Sequence, residues 1–243
     1  MDLRIRNSLA ISGAARKSRA RARGEETPNL ENAGAEPTPP RLQRGEILDW
    51  CTAGRVATGE RVSGDLPVVL TWASRALVGL IDGLGHGEAA AVAARRALSA
   101  LDSCGHLPLV EAVQRCHAAI RDTRGVVMTL VSIDAAAGTA TALGVGNVEA
   151  FIYRCDASGE PQRETILLRG GIVGYQLPGL HATEVPLAPN DLLVLATDGV
   201  RSDFFDLINA DESLPALVQR ILDHKAGGTD DALVLACRYK GHS

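Results

Sequence analysis

Apolar residues recur every second position through much of the chain after Leu42, a period that is typical of β-strands. Two of these runs, VVLTW and ALVGLI, flank a short polar break and predict a hairpin. Four later runs are separated by breaks short enough for hairpins, so neighbouring strands among them are expected to be antiparallel. The predicted strands are 68–72, 76–81, 126–134, 139–146, 149–155, 164–169, 191–197 and 231–238.

Three segments carry helical patterns instead. Residues 88–101 are rich in alanine, 107–123 place Pro108 near a first turn, and 213–225 begin at Ser213, a residue suited to a helix N-cap. Strands and helices are therefore grouped along the chain and do not alternate. This order favours an α+β fold with layered packing over a doubly wound parallel sheet.

Charge and composition separate a tail from a body. Residues 1–24 hold seven Lys or Arg and one Asp, whereas the rest of the chain holds 18 basic and 28 acidic residues. Residues 1–41 lack periodicity and are predicted to be a disordered basic tail, and 42–243 to be the folded domain. The acidic body argues against a nucleic-acid surface there, which leaves only the tail for such binding.

Five widely spaced cysteines form no CxxC pair and predict reduced thiols in a cytoplasmic protein. No apolar run reaches the roughly 18 to 20 residues that a membrane helix needs. We therefore expect neither a membrane nor a nucleic acid as a partner, and a cytoplasmic location.

Candidate chemistry begins with acidic residues at the ends of strands. Asp65, Asp82, Asp198 and Asp230 each lie where a predicted strand meets a loop. Carboxylates brought together from distant segments repel one another unless a cation neutralises them, and Mg²⁺ and Mn²⁺ prefer oxygen ligands. The glycine after Asp82 lets the backbone approach closely, so the carbonyl of Gly83 is a further candidate ligand.

Two other interpretations of the Asp-Gly pairs were weighed. Asp-Gly is a common hairpin turn, but Asp82 is followed by GLGHG and a predicted helix, and Asp198 by residues typical of a new helix. A dinucleotide-binding loop needs glycines at its first, third and sixth positions, whereas Glu88 holds the sixth position here. Both interpretations fit worse than metal binding.

Five runs in this order, SGD, DGLGHGEAA, GVGNVEAF, LLVLATDGV and GGTDDALVLA, resemble the metal-dependent protein phosphatases (PPM), specifically the SpoIIE-type bacterial branch and its short RsbX-like members. The resemblance covers about residues 52–238. It implies a four-layer αββα sandwich with two central antiparallel sheets and a binuclear Mn²⁺ or Mg²⁺ centre. Carried over by motif, Asp82 would bridge the metals, Gly83 would offer its carbonyl, Asp198 and Asp230 would hold one metal, and Asp65 would ligate or orient water.

The resemblance leaves three residues open. His86 is either a general acid for the leaving alkoxide or a hydrogen-bonding residue at the helix start, because Leu84 stands where many PPM enzymes have their histidine. Arg61 either contacts phosphate or is a surface arginine. Asp231 adjoins Asp230 and is the alternative ligand.

The implied activity is hydrolysis of phosphoserine or phosphothreonine by a metal-bridging water. The implied partner is a phosphorylated STAS-domain protein, either an anti-anti-sigma factor or a stressosome component. The alternative is a catalytically silent PPM-fold module that regulates a STAS protein or a switch kinase by binding it.

Overall fold

The computed structural model describes residues 40, 42–154 and 162–241. The predicted tail over 1–41 falls almost wholly outside these residues, as does Cys155. The strands are β1 Gln43–Arg44, β2 Leu48–Arg55, β3 Asp65–Trp72, β4 Arg75–Gly83, β5 Val126–Asp134, β6 Thr139–Val145, β7 Glu149–Arg154, β8 Gln162–Thr165, β9 Leu168–Arg169, β10 Thr183–Pro186, β11 Leu192–Ala196 and β12 Ala232–Tyr239. The helices are α1 Glu88–Cys104, α2 Leu109–Ala119, α3 Leu214–Lys225 and a 3₁₀ helix, Ser202–Leu207.

Two sheets face each other across a central apolar core. The first has the order β1-β2-β12-β11-β7-β8, and the second has the order β10-β6-β5-β4-β3, with β9 beside β6. Residues such as Leu80, Val131, Leu195 and Leu235 fill the layer between the sheets. Alanines of α1 and residues of α2 pack on the outer face of the second sheet, and α3 packs on that of the first. The predicted αββα sandwich is confirmed.

The predicted antiparallel series after residue 126 is correct in part. The strand pairs β5–β6 and β7–β8 are antiparallel neighbours, but β6 and β7 lie in different sheets. Gly146, at φ 100°, directs the chain from one sheet to the other, and a side chain there would collide with Val127. The predicted strand 164–169 is also divided: β8 belongs to the first sheet, and β9 pairs with β6 in parallel. The alternation of apolar and polar residues indicates which face of a strand is buried, but not which sheet the strand joins.

Three strands, β1, β2 and β10, were not predicted. The buried residues of β2 include Leu48, Cys51 and Ala53, which are spaced irregularly and mixed with half-buried polar residues. The described cysteines, Cys51, Cys104, Cys116 and Cys237, are all buried free thiols, as predicted. Among the described residues, no helix has the length and apolarity to cross a membrane.

Candidate metal centre

The ends of four strands bring the four predicted carboxylates to one end of the sandwich. Asp65 opens β3 and lies directly across from Asp82 on β4. Asp198 lies two residues after the end of β11, and Asp230 lies two residues before the start of β12, the strand that pairs with β11. The hydroxyl of Thr197, next to Asp198, donates to Oδ2 of Asp65 at 2.7 Å and so joins the two sheets. We call this end of the sandwich the site end.

Asp65 is a buried carboxylate, only 5% exposed. Burial raises its pKa well above the usual value, and the negative charge of Asp82 raises it further. The hydrogen bond from Thr197 opposes this shift by stabilising the ionised form. The same hydroxyl accepts the amide of Leu233 at 2.8 Å, which fixes its orientation. Asp65 therefore has a rigid position and an incompletely compensated charge.

The carboxylate of Asp82 is also held in its position against charge repulsion, and more acidic neighbours act on it. Burial raises its pKa to about 8, and the charges of Asp198, Asp230 and Asp231 contribute to the increase. These interactions place the side chains near enough to repel one another. In the described part of the chain, no Lys, Arg or His forms an ion pair with any of the four predicted ligands.

The glycines after Asp82 let helix α1 approach the site. The amide of Gly83 donates to the carbonyl of Gly64 at 3.1 Å, and any side chain on Gly83 would collide with the backbone of Ala90 in α1. Gly85 and Gly87 adopt φ values of 80° and 72°, a region that favours glycine. The segment is thus neither a hairpin nor a dinucleotide loop, and it places Asp82 and the Gly83 backbone against the start of α1.

Asp198 and Asp230 are both more exposed than Asp65. Asp198 is exposed, and the side-chain amide of Asn147 donates to its Oδ2 at 2.8 Å. Asp230 is partly buried and accepts the amide of Asp231 at 2.9 Å with Oδ1. The hydrogen bond from Asn147 orients Asp198.

Asp231 has a different role from its neighbour. It is 2% exposed, and its two carboxylate oxygens accept the backbone amides of Ala57 and Gly64 at 2.8 and 2.7 Å. Both oxygens are therefore used to hold the loop before β3. This geometry favours Asp230 over Asp231 as the ligand.

The two candidates for phosphate and proton chemistry lie on the outside of the site. His86 lies two residues before α1 and is largely exposed, with its Nδ1 2.6 Å from Oε1 of Glu60. Arg61 is exposed and has no hydrogen bond or ion pair with other described residues. The structure thus puts both on the loops around the carboxylates without giving either a contact to them.

The donor set fits hard divalent cations. Its members are carboxylate oxygens and a backbone carbonyl, the ligands that Mg²⁺ and Mn²⁺ select. Burial and then repulsion by neighbouring carboxylates raise the pKa of Asp65 and of Asp82, and a bound cation would oppose both effects. Within the described ranges, no three His, Cys, Asp or Glu side chains stand in the arrangement of a finished metal site. The carboxylates lie close enough to repel one another, and a bound cation would reduce that repulsion.

Comparison with known proteins agrees with this arrangement. The family model for stage II sporulation protein E (SpoIIE) matches residues 73–240, which include Asp82, Asp198 and Asp230. The chain belongs to the SpoIIE family. Its fold is that of the PPM-type protein phosphatases. A search of curated protein sequences gave no significant match.

Solved structures place the SpoIIE-family fold among phosphatases. A structure from work on the bacterial stressosome, a modular system adapted to control secondary messenger signaling, is 30% identical and covers 79% of this chain and all of its own, with a TM-score of 0.72. RsbX in complex with magnesium is 16% identical over 83% of this chain and all of its own, with a TM-score of 0.73. The catalytic domain of PstP with two manganese ions is 18% identical over 80% of this chain and 99% of its own, with a TM-score of 0.59.

Three contributors to this SpoIIE-family site were not predicted in their observed roles. Thr197 orients Asp65, Asn147 orients Asp198, and Asp231 anchors the preceding loop. Each acts across 50 or more residues of sequence, so no local pattern identifies it. Thr197 and Asp231 lie beside a predicted ligand in the sequence, whereas Asn147 does not.

Proposed function

We propose that this phosphatase hydrolyses phosphoserine or phosphothreonine on a STAS-domain protein with a binuclear Mn²⁺ or Mg²⁺ centre. The observation that supports the proposal most strongly is the group of four carboxylates at the site end, with raised pKa values at Asp65 and Asp82. Such a group costs stability unless positive charge is bound. A fold alone has no need of it.

The proposed ligands are Asp65, Asp82, Asp198 and Asp230 with the carbonyl of Gly83. Asp82 lies centrally, because its charge interacts with those of Asp65, Asp198 and Asp230. When bound, divalent ions activate water as a nucleophile and neutralise phosphate oxygens. Thr197 and Asn147 hold two of the carboxylates by hydrogen bonds, and such supporting bonds orient ligands before the reaction.

The leaving serine or threonine oxygen needs a proton. His86 is the candidate donor on the loop after Asp82, and its Nδ1 is held by Glu60. That contact orients the ring, and a doubly protonated imidazole would then deliver its proton from Nε2. His86 would then act from the surface of the site, at the point where a protein substrate enters.

The substrate proposal rests on likeness. The stressosome structure and RsbX are among the neighbours that this chain covers over their whole length, and the first comes from work on a bacterial signaling system. An exposed Asp198 and His86 leave the site accessible to a folded protein that presents a phosphorylated residue. A phosphorylated anti-anti-sigma factor or stressosome STAS protein is the proposed class.

The decisive experiment measures hydrolysis of p-nitrophenyl phosphate and of a phosphorylated STAS protein, with and without Mn²⁺. We expect Asp82→Asn to lower kcat by at least about 100-fold on both substrates. Asp134→Asn is the matched control, because Asp134 lies at the other end of β5 in an ion pair with Arg75. Full activity without metal, or in Asp82→Asn, would contradict the binuclear mechanism.

The alternative, a silent module that regulates a STAS protein or a switch kinase by binding, gives a different result. Such a module would bind its partner without hydrolysis, with equal affinity in the wild type and Asp82→Asn. The carboxylate group favours the enzyme, since a binding module has no use for charges that raise one another's pKa. Activity on the small ester alone would leave the catalytic centre in place and refute the STAS substrate.

A further inference from the structure

Arg124 lies beside the loop that follows Asp82. Strands β4 and β5 are antiparallel neighbours with Gly83 across from Val126, and the amide of Leu84 donates to the carbonyl of Gly125 at 3.1 Å. A Cβ built on Gly85 would lie 3.1 Å from Nη1 of Arg124. The guanidinium group of Arg124 therefore lies against the backbone of Gly85, two residues after the proposed ligand Gly83.

The backbone around Arg124 is fixed on both sides. The hydroxyl of Thr123 donates to the carbonyl of Ile120 at 2.7 Å and accepts the amide of Gly125 at 3.1 Å. Val126 and Val173 exchange two backbone hydrogen bonds of 2.9 Å. Arg124 thus starts from a rigid position although its own side chain is exposed.

The guanidinium group of Arg124 has no hydrogen bond or ion pair with any other described residue, unlike most arginines near it. Arg95 pairs with Glu88, Arg96 with Asp122 and Arg115 with Glu111. Asp122 is two residues from Arg124 in sequence, yet its carboxylate is taken by Arg96. The donors of Arg124 are available to a ligand at the edge of the acidic site.

We propose that Arg124 binds the phosphate of the substrate, an inference that rests on the proposed phosphatase function. A phosphate monoester carries a charge of about −1.5 to −2 at neutral pH. Four carboxylates would balance the formal charge of two bound divalent ions, so the substrate phosphate would add net negative charge to the site. A guanidinium group supplies that charge and binds two phosphate oxygens through parallel N–H donors. Arg61 lacks any such contact with the loop after Asp82.

Binding of inorganic phosphate tests this role separately from catalysis. Isothermal titration of the Mg²⁺-loaded full chain with phosphate should show a roughly 10- to 100-fold weaker Kd for Arg124→Ala, and an intermediate value for Arg124→Lys, which keeps the charge but loses the paired donors. Arg121→Ala, at an exposed arginine three residues earlier, should match the wild type. The Mg²⁺ affinity and melting temperature of Arg124→Ala should be unchanged.

Kinetics on p-nitrophenyl phosphate supply the second measurement. We expect Arg124→Ala to raise KM and the inhibition constant of phosphate by similar factors. Wild-type phosphate affinity in Arg124→Ala, or no phosphate binding by the Mg²⁺-loaded wild type, would overturn the proposal. A wild type that binds phosphate through Arg124 but hydrolyses nothing would refute the phosphatase function and leave the phosphate site standing.

Discussion

Buried carboxylates at the two ends of the sandwich differ in the charge of the groups around them. At the site end, Asp65 is 5% exposed and its nearest charged neighbour is another carboxylate, Asp82. At the other end, which we call the closed end, Asp191 is 2% exposed and accepts hydrogen bonds from Arg154 at 3.3 Å and the amide of Ala188 at 2.9 Å. Asp191 and Asp198 flank the same strand, β11. Equal burial with unequal compensation separates a structural carboxylate from a functional one.

Removing the compensating charge at the closed end should have the largest effect on stability. Arg154→Met leaves Asp191 buried without its arginine and also removes the bond to Glu164, so we expect a loss of about 3 kcal/mol in the free energy of unfolding. Specific activity of the folded fraction should be unchanged. Urea unfolding monitored by circular dichroism gives the comparison.

Arg75→Met is the control for Arg154→Met. Arg75 pairs with Asp134 at 2.8 Å at the same closed end, but its side chain is 62% exposed, so the loss should be below about 1 kcal/mol. Equal losses in the two variants would show that burial does not set the strength of these ion pairs.

In the presence of a chelator, removing a carboxylate charge at the site end should stabilise the folded protein. The pKa of Asp82 is raised to about 8 in the folded protein, so between the unfolded value near 4 and pH 8 the folded state binds the extra proton. Stability of the metal-free protein should therefore fall as pH rises through this range, by up to roughly 1 kcal/mol per pH unit. Asp82→Asn should flatten this slope and melt higher than the wild type at pH 7.5.

Thermal melts in EDTA at pH 5.5, 6.5 and 7.5 measure this slope, with Asp134→Asn as the control. Adding Mg²⁺ should stabilise the wild type and leave Asp82→Asn nearly unaffected. A metal-free wild type whose stability rises with pH would contradict the assigned charge repulsion.

The same contrast explains what sequence could predict. Strand and helix periodicity identified most elements, because each element buries one face, and the four Asp positions followed from their places at strand ends. The sheet that β7 joins depends on the turn at Gly146 and its contact with Val127, which alternation does not encode. Likewise, both residues of the pair Asp230 and Asp231 are aspartates. Only burial and hydrogen-bond partners distinguish Asp231, which accepts two backbone amides, from its neighbour.

Asn147 tests whether the site end relies on supporting hydrogen bonds. Its amide donates to Asp198 at 2.8 Å, and Asn147→Ala removes that bond from an exposed carboxylate. We expect a roughly tenfold loss of Mg²⁺ affinity, measured by calorimetry, with little change in the stability of the metal-free protein. Gln219→Ala is the control, because it removes only a hydrogen bond on the surface of α3. Asn190→Ala is unsuitable, because Asn190 has a φ of 77°, at which alanine is strained. Equal metal affinity in Asn147→Ala would mean that Asp198 needs no support.

Tyr175 should give the smallest effect and the one most specific to a protein substrate. It is 76% exposed, and its backbone amide lies 3.8 Å from where a Cβ of Gly125 would be, next to Arg124. Because it is an exposed aromatic side chain close to the proposed phosphate-binding Arg124, Tyr175→Ala should raise KM for a phosphorylated STAS protein a few-fold and leave p-nitrophenyl phosphate hydrolysis unchanged. Leu167→Ala, at another exposed apolar residue, is the control. A matching increase for both substrates would place Tyr175 in the catalytic centre, and no increase for either would place the protein-binding surface elsewhere on the site end.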